Sequence, residues 1–490
     1  MDVERRIKTN MKPNEPNTST FVLEEAGQRS WSDKLVRPFL EFMGIPLAVL
    51  LIFTSVGVLT YILERHDPSW VQTARNVVSR HMFGTPGGTM NFLGFIGGAL
   101  ISLTSLTVTI LLLVLQQMAV NMGNLIYDQF LSHKYNQFFL GYILGVAFLS
   151  LFNHAITRDD FNPILGATMV FITTIILLIL FIFFLYSTMD QMRASTIVET
   201  IAKEALNARQ HHLDLLAHTR REPQISDGEK IIVRSGTEGY LLRIDIPKIQ
   251  ECFAQVDASV EILLLIELGA TVIYYDPVAE IRAADREQAV TMAVCLGKAL
   301  RFGTRRNART DAAYGLKQLE TIGWTNSSQA KHNPDIGQKV AYALQNLLRR
   351  WMLQDSGETD RDQEALPLVY VDRVSTKVLD AFESLIVISQ ETFQHQILGT
   401  IYNTLAQTFP HLTPELQERT KELVLRMLPT LQRHSLTRDL DMAVIRLRDA
   451  LQESGAKEVA KAVQQAREER AQQVPLPLKP PQSKETNPDR

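Results

Sequence analysis

Cysteine is almost missing from this 490-residue chain, which contains only Cys252 and Cys295. Two cysteines cannot build a disulfide framework, and their spacing matches none of the common metal-binding patterns. Such sparse use of cysteine is typical of proteins in a reducing compartment. We therefore expect each cysteine to be a small buried apolar residue.

The recognisable motifs of catalysis are missing as well. The chain has no Walker loop, no Gly-x-Ser-x-Gly, no His-Glu-x-x-His, no protein-kinase signature and no Cys-x-x-Cys. The adjacent His211 and His212 would point about 100° apart on a helix and cannot share a metal from one face, so we interpret them as a solvated pair. These absences predict a protein that is not an enzyme and that has no cofactor and no metal.

Nucleic-acid-binding surface patterns and a signal peptide are also absent. The formal net charge is −3, and the basic residues form no stripe interleaved with aromatic side chains. The first twenty residues are polar and lack the apolar core of a signal peptide. We expect no nucleic-acid partner and no cleaved leader.

Charge is scarce between residues 38 and 188, although charged residues make up 21% of the whole chain. A bilayer core of about 30 Å needs about 20 apolar residues in a helix, and four such runs occur. They predict a lipid-embedded α-helical domain over residues 37–190, with spans at 42–63, 91–117, 138–155 and 164–188.

The second run is longer than a bilayer requires. It contains no Asp, Glu, Lys or Arg between Arg80 and Asp128. We expect its final part, QQMAVNMGNLIYDQF, to leave the membrane as an amphipathic helix. None of the four spans has an ionisable residue at mid-depth, so proton- or ion-coupled transport does not fit this sequence.

Basic residues are distributed unevenly around the spans, and cytoplasmic segments usually carry the larger share. The N-terminal segment is richer in them than the first and third loops. This bias predicts a cytoplasmic N-terminus, and four spans then place the C-terminus in the cytoplasm too. The residues are Arg5, Arg6, Lys8, Lys12, Arg29, Lys34 and Arg37 in the N-terminal segment, against Arg65, Arg75, Arg80 and Arg158 in the loops.

The polar remainder has three patterns. Helical spacing over residues 191–228 predicts a connecting helix, and short β-branched runs over 229–282 predict a small β-barrel or sandwich. Amphipathic repeats over 283–470 predict a helical domain. With residues 1–36 and 471–490 expected to be disordered, the fold class is a four-span helical membrane protein with a cytosolic α+β part.

A stripe of small and polar residues runs along the second span within an arc of about 80° on a helical wheel. Leu112 and Val120 fall in the same arc. The stripe packs against another span in one interpretation, with its hydroxyl groups bonded to backbone carbonyls four residues earlier. In the other, several copies of the chain bring it to a shared axis, where it lines a water-filled path constricted at Leu112. Its members are Gly94, Gly98, Ser102, Ser105, Thr109 and Gln116.

The densest polar cluster outside the spans lies in the predicted helical domain. Helix capping accounts for several of its members, since Asp311 precedes one predicted helix and Asn333-Pro334 opens the next. The alternative is a ligand-binding site for a small molecule. The candidate residues are Arg309, Asp311, Gln318, Asn333 and Asp335.

This order of parts resembles a bacterial family of predicted integral-membrane proteins whose defining domain has no assigned function, the 2254 family. The resemblance covers roughly residues 38 to 400 and rests on three segments and on the order of the chain, in which four spans precede a cytosolic half. The segments are SLTSLTVTILLLVLQQMAVNMGNLIYDQF, GYLLRIDIPKI with LGATVIYYDPVAEI, and RTDAAYGLKQLETIGWTNSSQAKHNP. The family implies a bacterial inner-membrane location and a topology, and no mechanism.

Two functional hypotheses remain from the sequence. The first is a homo-oligomeric passive ion channel lined by the polar stripe, with a cytosolic regulatory part. The second is a membrane-anchored sensor or scaffold whose cytosolic part binds a small ligand or a protein partner.

Overall fold

A computed structural model describes residues 18–23, 37–66, 68–122, 134–191, 193–225, 228–256, 260–328, 334–355, 365–431 and 437–472. The chain divides into two compact units. We call residues Gln28–Ile197 the membrane unit. The α/β unit consists of Met1–Gly27 together with Val198–Arg490.

The described residues of the membrane unit form five complete helices. They are α1 (Arg37–His66), α2 (Ser69–His81), α3 (Pro86–Met122), α4 (Lys134–Ile156) and α5 (Ile164–Gln191). A sixth helix, α6 (Ala194–Ala217), starts in this unit and continues into the α/β unit.

Four of these helices are long and apolar enough to cross a membrane, as predicted. The candidate spans are Met43–His66, Pro86–Gln116, Lys134–Ile156 and Ile164–Asp190. Helix α2 was not predicted; its polar and apolar residues alternate at helical spacing in the segment after the first span. The predicted amphipathic exit of the second span falls partly outside the described residues, because α3 is described only to Met122.

Small residues set how closely the membrane helices pack. A Cβ atom on Gly141 of α4 would lie 2.7 Å from the Cα atom of Pro46 in α1, so only glycine permits this approach of the two backbones. Between α3 and α4, Ser150 Oγ donates a hydrogen bond of 2.8 Å to the carbonyl of Leu93. Because lipid offers no competing partner, such a bond stabilises the pairing of two helices.

The described strands of the α/β unit form two sheets. The strands are β1 (Thr18–Val22), β2 (Glu229–Arg234), β3 (Gly239–Ile244), β4 (Glu261–Leu264), β5 (Thr271–Val272), β6 (Pro277–Ala283), β7 (Leu300–Gly303) and β8 (Leu368–Val369). The larger sheet has the order β1-β2-β6-β4-β8, and the smaller one has the order β5-β3-β7. Helices α7 (Ile246–Phe253) and α8 (Arg286–Ala299) pack with these strands around one core.

The sheets correct two expectations. Thr18–Val22, inside the segment predicted to be disordered, pairs in parallel with β2 in the register Thr18↔Lys230. The described strands form two open sheets instead of a closed barrel, and the larger sheet recruits β8 from residues 368–369. The β-rich segment 229–282 is therefore not self-contained, because both edge strands of its main sheet come from distant parts of the chain.

Apart from β7 and β8, the described secondary structure from Arg286 to Gln472 is helical. The α-helices after α8 are α9 (Ala312–Ser328), α10 (Pro334–Asp355), α11 (Val374–Glu391), α12 (His395–Thr408), α13 (Pro414–Leu431), α14 (Arg438–Glu453) and α15 (Lys457–Gln472).

The two cysteines are bonded to each other, which corrects the expectation of two separate buried residues. Cys252 in α7 and Cys295 in α8 form a disulfide with a Cα–Cα distance of 5.9 Å. The bond joins two helices that lie on the core of the sheets, and Cys252 is buried in that core. Sequence spacing could not reveal it, because the approach of α7 to α8 depends on the path of the intervening strands.

Candidate functional site

Four polar side chains meet where α6 packs beside the end of β8. Helix α6 supplies Arg209 and His212, and the segment from β8 to α11 supplies Tyr370 and Asp372. We call these four residues the buried polar cluster. Its position follows from α6, where Arg209 and His212 continue the apolar face begun by Ile197, Ile201 and Ala205.

An ion pair lies at the centre of the buried polar cluster. Arg209 Nη1 lies 2.7 Å from Asp372 Oδ2, and the arginine side chain is fully buried while the aspartate retains 17% exposure. The guanidinium also lies 5.8 Å from the ring centroid of Trp351 in α10. Asp372 Oδ1 accepts a hydrogen bond of 3.2 Å from the backbone N–H of Val374 at the start of α11. The pair thus connects α6, α10 and α11.

The imidazole and the phenol of the cluster form a second connection. His212 Nε2 lies 3.1 Å from Tyr370 Oη and 3.9 Å from Asp372 Oδ1. Tyr370 Oη in turn accepts a hydrogen bond of 3.1 Å from the backbone N–H of Leu268. The cluster therefore ties α6 to the strand-bearing part of the unit.

Burial and the neighbouring charges together set the pKa values of the ionisable groups in this cluster. It lowers the pKa of His212 below its ordinary value, and the nearby Asp372 only partly opposes the shift. Burial alone would raise the pKa of Asp372, but Arg209 and His212 outweigh that effect and lower it. Burial also raises the pKa of Tyr370. At neutral pH the cluster thus consists of a neutral imidazole and phenol beside a charged Arg–Asp pair.

The buried polar cluster was not predicted from the sequence, and one of its members was misjudged. His211 is exposed, but His212 is only 3% exposed, so the interpretation of the two as a solvated pair is wrong for His212. A helical wheel of α6 could have indicated that Arg209 and His212 are buried, because both lie on its apolar face. Their partners Tyr370 and Asp372 had no signal, since they lie far along the chain.

The predicted ligand site is not one constellation. Arg309 is exposed, and its Nε atom lies 3.4 Å from Glu204 Oε1. Asp311 forms a different ion pair, in which its Oδ2 atom lies 2.7 Å from Arg306 Nε. Asp311 also caps α9 by accepting a hydrogen bond of 3.0 Å from the N–H of Tyr314, which agrees with the capping interpretation.

The other members of that predicted site lie further along the helices. Gln318 is buried within α9, and Asp335 is exposed in the first turn of α10. Asp311 directly precedes α9 and Asp335 follows it in the next helix. The 17 residues of α9 that lie between them rise about 25 Å. Asn333 lies outside the described residues.

The polar stripe of the second span faces away from the other helices of the membrane unit. Gly98, Ser102, Ser105, Thr109, Leu112 and Gln116 are all exposed. The opposite face of α3 is buried and consists of Leu93, Gly97, Leu100, Thr107, Val114 and Leu115. The stripe is thus not the surface that α3 uses to pack against its own chain.

Two details refine the predicted stripe. Ser102 Oγ and Thr109 Oγ1 donate to the carbonyls of Gly98 and Ser105 at 3.1 and 2.9 Å, as the packing interpretation expected. Gly94 differs from the rest, because a Cβ atom there would lie 3.2 Å from the ring of His154 in α4. At Gly98 such an atom would meet nothing within 4 Å.

Four candidate spans and an attached α/β unit define a multi-span α-helical membrane protein with a large extramembrane part. Residues 41–392 match the family described as predicted membrane protein (DUF2254), and the chain belongs to that family. The match confirms the resemblance seen in the sequence, and the family description names a membrane location without an activity. No curated protein and no solved structure matches the chain.

Proposed function

We propose that this protein is a non-catalytic membrane protein whose copies associate through the polar stripe of α3 and enclose a passive path for ions. The observation that supports this proposal is the exposure of the stripe on the face opposite the buried side of α3. A surface left open by its own chain is available to a second copy.

The chemistry of the stripe suits both association and conduction. Gly98 and Ser102 are small, and small residues let membrane helices approach closely. The hydroxyl groups of Ser102 and Thr109 bond to their own helix, so their exposure to lipid costs little before assembly. In the assembly the same oxygen atoms can still accept hydrogen bonds from water, and Leu112 provides an apolar constriction.

Association is tested with two matched substitutions on neighbouring residues. Gly98→Leu is expected to shift the full-length protein towards monomer in crosslinking and native mass spectrometry, because it blocks close approach without a clash inside the chain. Ala99→Leu is the control, since Ala99 is also exposed but lies outside the stripe. Equal assembly of both variants, or a monomeric wild type, would contradict the proposal.

Conduction is tested separately in reconstituted vesicles. Thr109→Leu is expected to reduce the conductance of the wild type to background while assembly is retained, because it replaces a pore hydroxyl by an apolar side chain. If the assembled wild type did not conduct, the copies would associate without enclosing a path for ions, and the conduction part of the proposal would be wrong.

We also propose a bacterial inner-membrane location with both termini in the cytoplasm. The cytoplasmic placement rests on the excess of lysine and arginine in the N-terminal segment, and the bacterial inner membrane rests on the family resemblance. The pairing of β1 with β2 supports a shared side, since one strand precedes the first span and the other follows the fourth. The Cys252–Cys295 bond would then form only under oxidation, because the cytoplasm keeps thiols reduced.

Orientation is tested by reporter fusions at the C-terminus of the full chain. A fluorescent protein is expected to mature there, and alkaline phosphatase is expected to stay inactive. The reverse pattern would place the α/β unit and its disulfide in an oxidising compartment.

A membrane-anchored sensor is the second candidate. The buried polar cluster favours it, because Arg209 and His212 lie in α6, which only two residues separate from the end of α5. A ligand or partner that rearranged the cluster would move the helix that leads into the membrane. Ligand-dependent thermal stabilisation of a wild type that never conducts would favour this candidate over the channel.

A further inference from the structure

A groove of about 410 Å³ opens in the membrane unit between α4, α5 and the beginning of α1. Its volume lies within the range of about 300–1,000 Å³ that is usual for small-molecule sites. The walls are aromatic and aliphatic, from Phe138, Phe139, Leu180, Phe183 and Phe184, and Lys134 lies at the rim.

The floor of the groove is closely packed and the mouth is open. Phe139 and Phe184 stack with ring centroids 4.3 Å apart and planes 12° apart, and both are almost fully buried. Phe138 and Phe183 are 42% and 55% exposed at the mouth. A preformed apolar slot of this kind binds a flexible hydrocarbon chain without first having to open.

The groove lies at one boundary of the membrane. Its lining comes from the first residues of the span Lys134–Ile156, the last residues of the span Ile164–Asp190, and Ile45 near the start of the first span. All three positions fall on the same side of a bilayer, because α4 enters where α5 leaves. Lys134 is therefore at headgroup level, with the aromatic walls directly below it in the hydrocarbon.

Charge at the rim selects the kind of ligand. Lys134 is exposed, and none of the described residues that line the groove is acidic. Lys134 is also the first residue of α4, where the helix dipole adds partial positive charge. A phosphate group that stays at headgroup level meets a positive field there, while its acyl chain enters the slot.

We infer that this groove is a binding site for an anionic phospholipid, with its phosphate on Lys134 and one acyl chain between α4 and α5. A zwitterionic lipid of the same chain length would gain less, because its own cation opposes the lysine. The inference does not depend on oligomerisation or conduction, since every residue that carries it belongs to one copy of the chain.

Native mass spectrometry of the full-length protein tests the headgroup contact, with phosphatidylglycerol and phosphatidylcholine as probes. Lys134→Gln is expected to reduce the bound phosphatidylglycerol about fivefold, the effect of one basic residue near an anionic surface, and to leave phosphatidylcholine unchanged. Lys203→Gln in α6 is the matched control, because it removes the same charge from an exposed position outside the groove. Equal loss in both variants, or no loss in either, would overturn the inference.

Quenching by brominated acyl chains tests the slot itself. Tyr135→Trp places an indole at the groove, and Tyr186→Trp places one on an exposed part of α5 outside it. In vesicles of phosphatidylcholine with a minor fraction of brominated phosphatidylglycerol, the first indole is expected to be quenched more strongly. Equal quenching of the two would show that the lipid at the groove is ordinary bulk lipid and would overturn the inference.

Discussion

Replacing Asp372 by Asn is expected to lower the free energy of unfolding of the protein by about 3 kcal/mol. The substitution leaves Arg209 charged and fully buried without its carboxylate, which lies 2.7 Å away in the wild type. Asparagine keeps a carbonyl oxygen that can still accept the hydrogen bond from the N–H of Val374. The loss of stability therefore reports the uncompensated charge of Arg209 and not a lost hydrogen bond at the start of α11.

The expected loss is at the lower end of the range of about 3–5 kcal/mol for breaking a buried ion pair. Asp372 retains 17% exposure, so water already weakens the attraction. Restoring neutrality tests this explanation, because the double variant Arg209→Met with Asp372→Asn is expected to recover most of the stability. A double variant as unstable as Asp372→Asn would show that charge is not the cause.

Glu204→Gln supplies the matched control. It removes the carboxylate of an ion pair at 3.4 Å whose arginine, Arg309, is 62% exposed. Surface pairs of this kind contribute about 0–1 kcal/mol, so the control is expected to unfold almost as the wild type does. The measurement is denaturant unfolding of the full-length protein, followed by tryptophan fluorescence, since Trp351 is buried beside the Arg209 guanidinium.

The stability of the wild type is expected to fall as the pH drops below about 6.5, and His212 is expected to account for part of that fall. Burial lowers the pKa of His212 in the folded protein, so the unfolded chain binds its proton first. The histidine contribution is therefore complete above about pH 6.5 and is lost between that pH and the lower folded pKa. The charged groups that act on the imidazole are Asp372, Arg209, Asp311 and Lys377.

Asp372 acts in a different pH window. Its pKa is lowered in the folded protein, so its contribution is present above the ordinary value of 3.8 and is lost only as the pH falls further. A loss of stability just below pH 6.5 therefore reports the histidine and not the aspartate.

Substitutions at two neighbouring histidines separate the effect of a buried imidazole from that of an exposed one. His212→Gln is expected to flatten the pH dependence of unfolding in that window, whereas His211→Gln is expected to leave it unchanged, since His211 is exposed. Identical pH profiles of the two variants would contradict the role of His212. The quantity to compare is the free energy of unfolding at a series of pH values.

The spans were the most predictable part of this protein. A run such as Ile164–Asp190 is apolar along its whole length, so the property that makes it a membrane helix is present in each local window. Helix α2 was missed for a related reason: it is short and amphipathic, and the charged and polar residues of SWVQTARNVVSRH were taken for a loop.

The candidate sites were less predictable, because they depend on residues far apart in the chain. The stripe on α3 could be placed on a wheel, but whether its own chain covers it depended on where α4 packs. The buried polar cluster joins positions 209 and 212 to positions 370 and 372, and no local pattern links them. The predicted cluster around Asp311 and Asp335 was drawn from residues close in sequence, which a long helix holds apart.

By itself, the sequence determined the four apolar spans, the helical character of the C-terminal part and the family, because hydrophobicity and helical periodicity are read from neighbouring residues. Only the tertiary structure decided that β1 joins a sheet with β2, that Cys252 bonds to Cys295, that His212 is buried, and that the stripe is exposed. The physical reason is that burial and pairing depend on which distant segments meet in space.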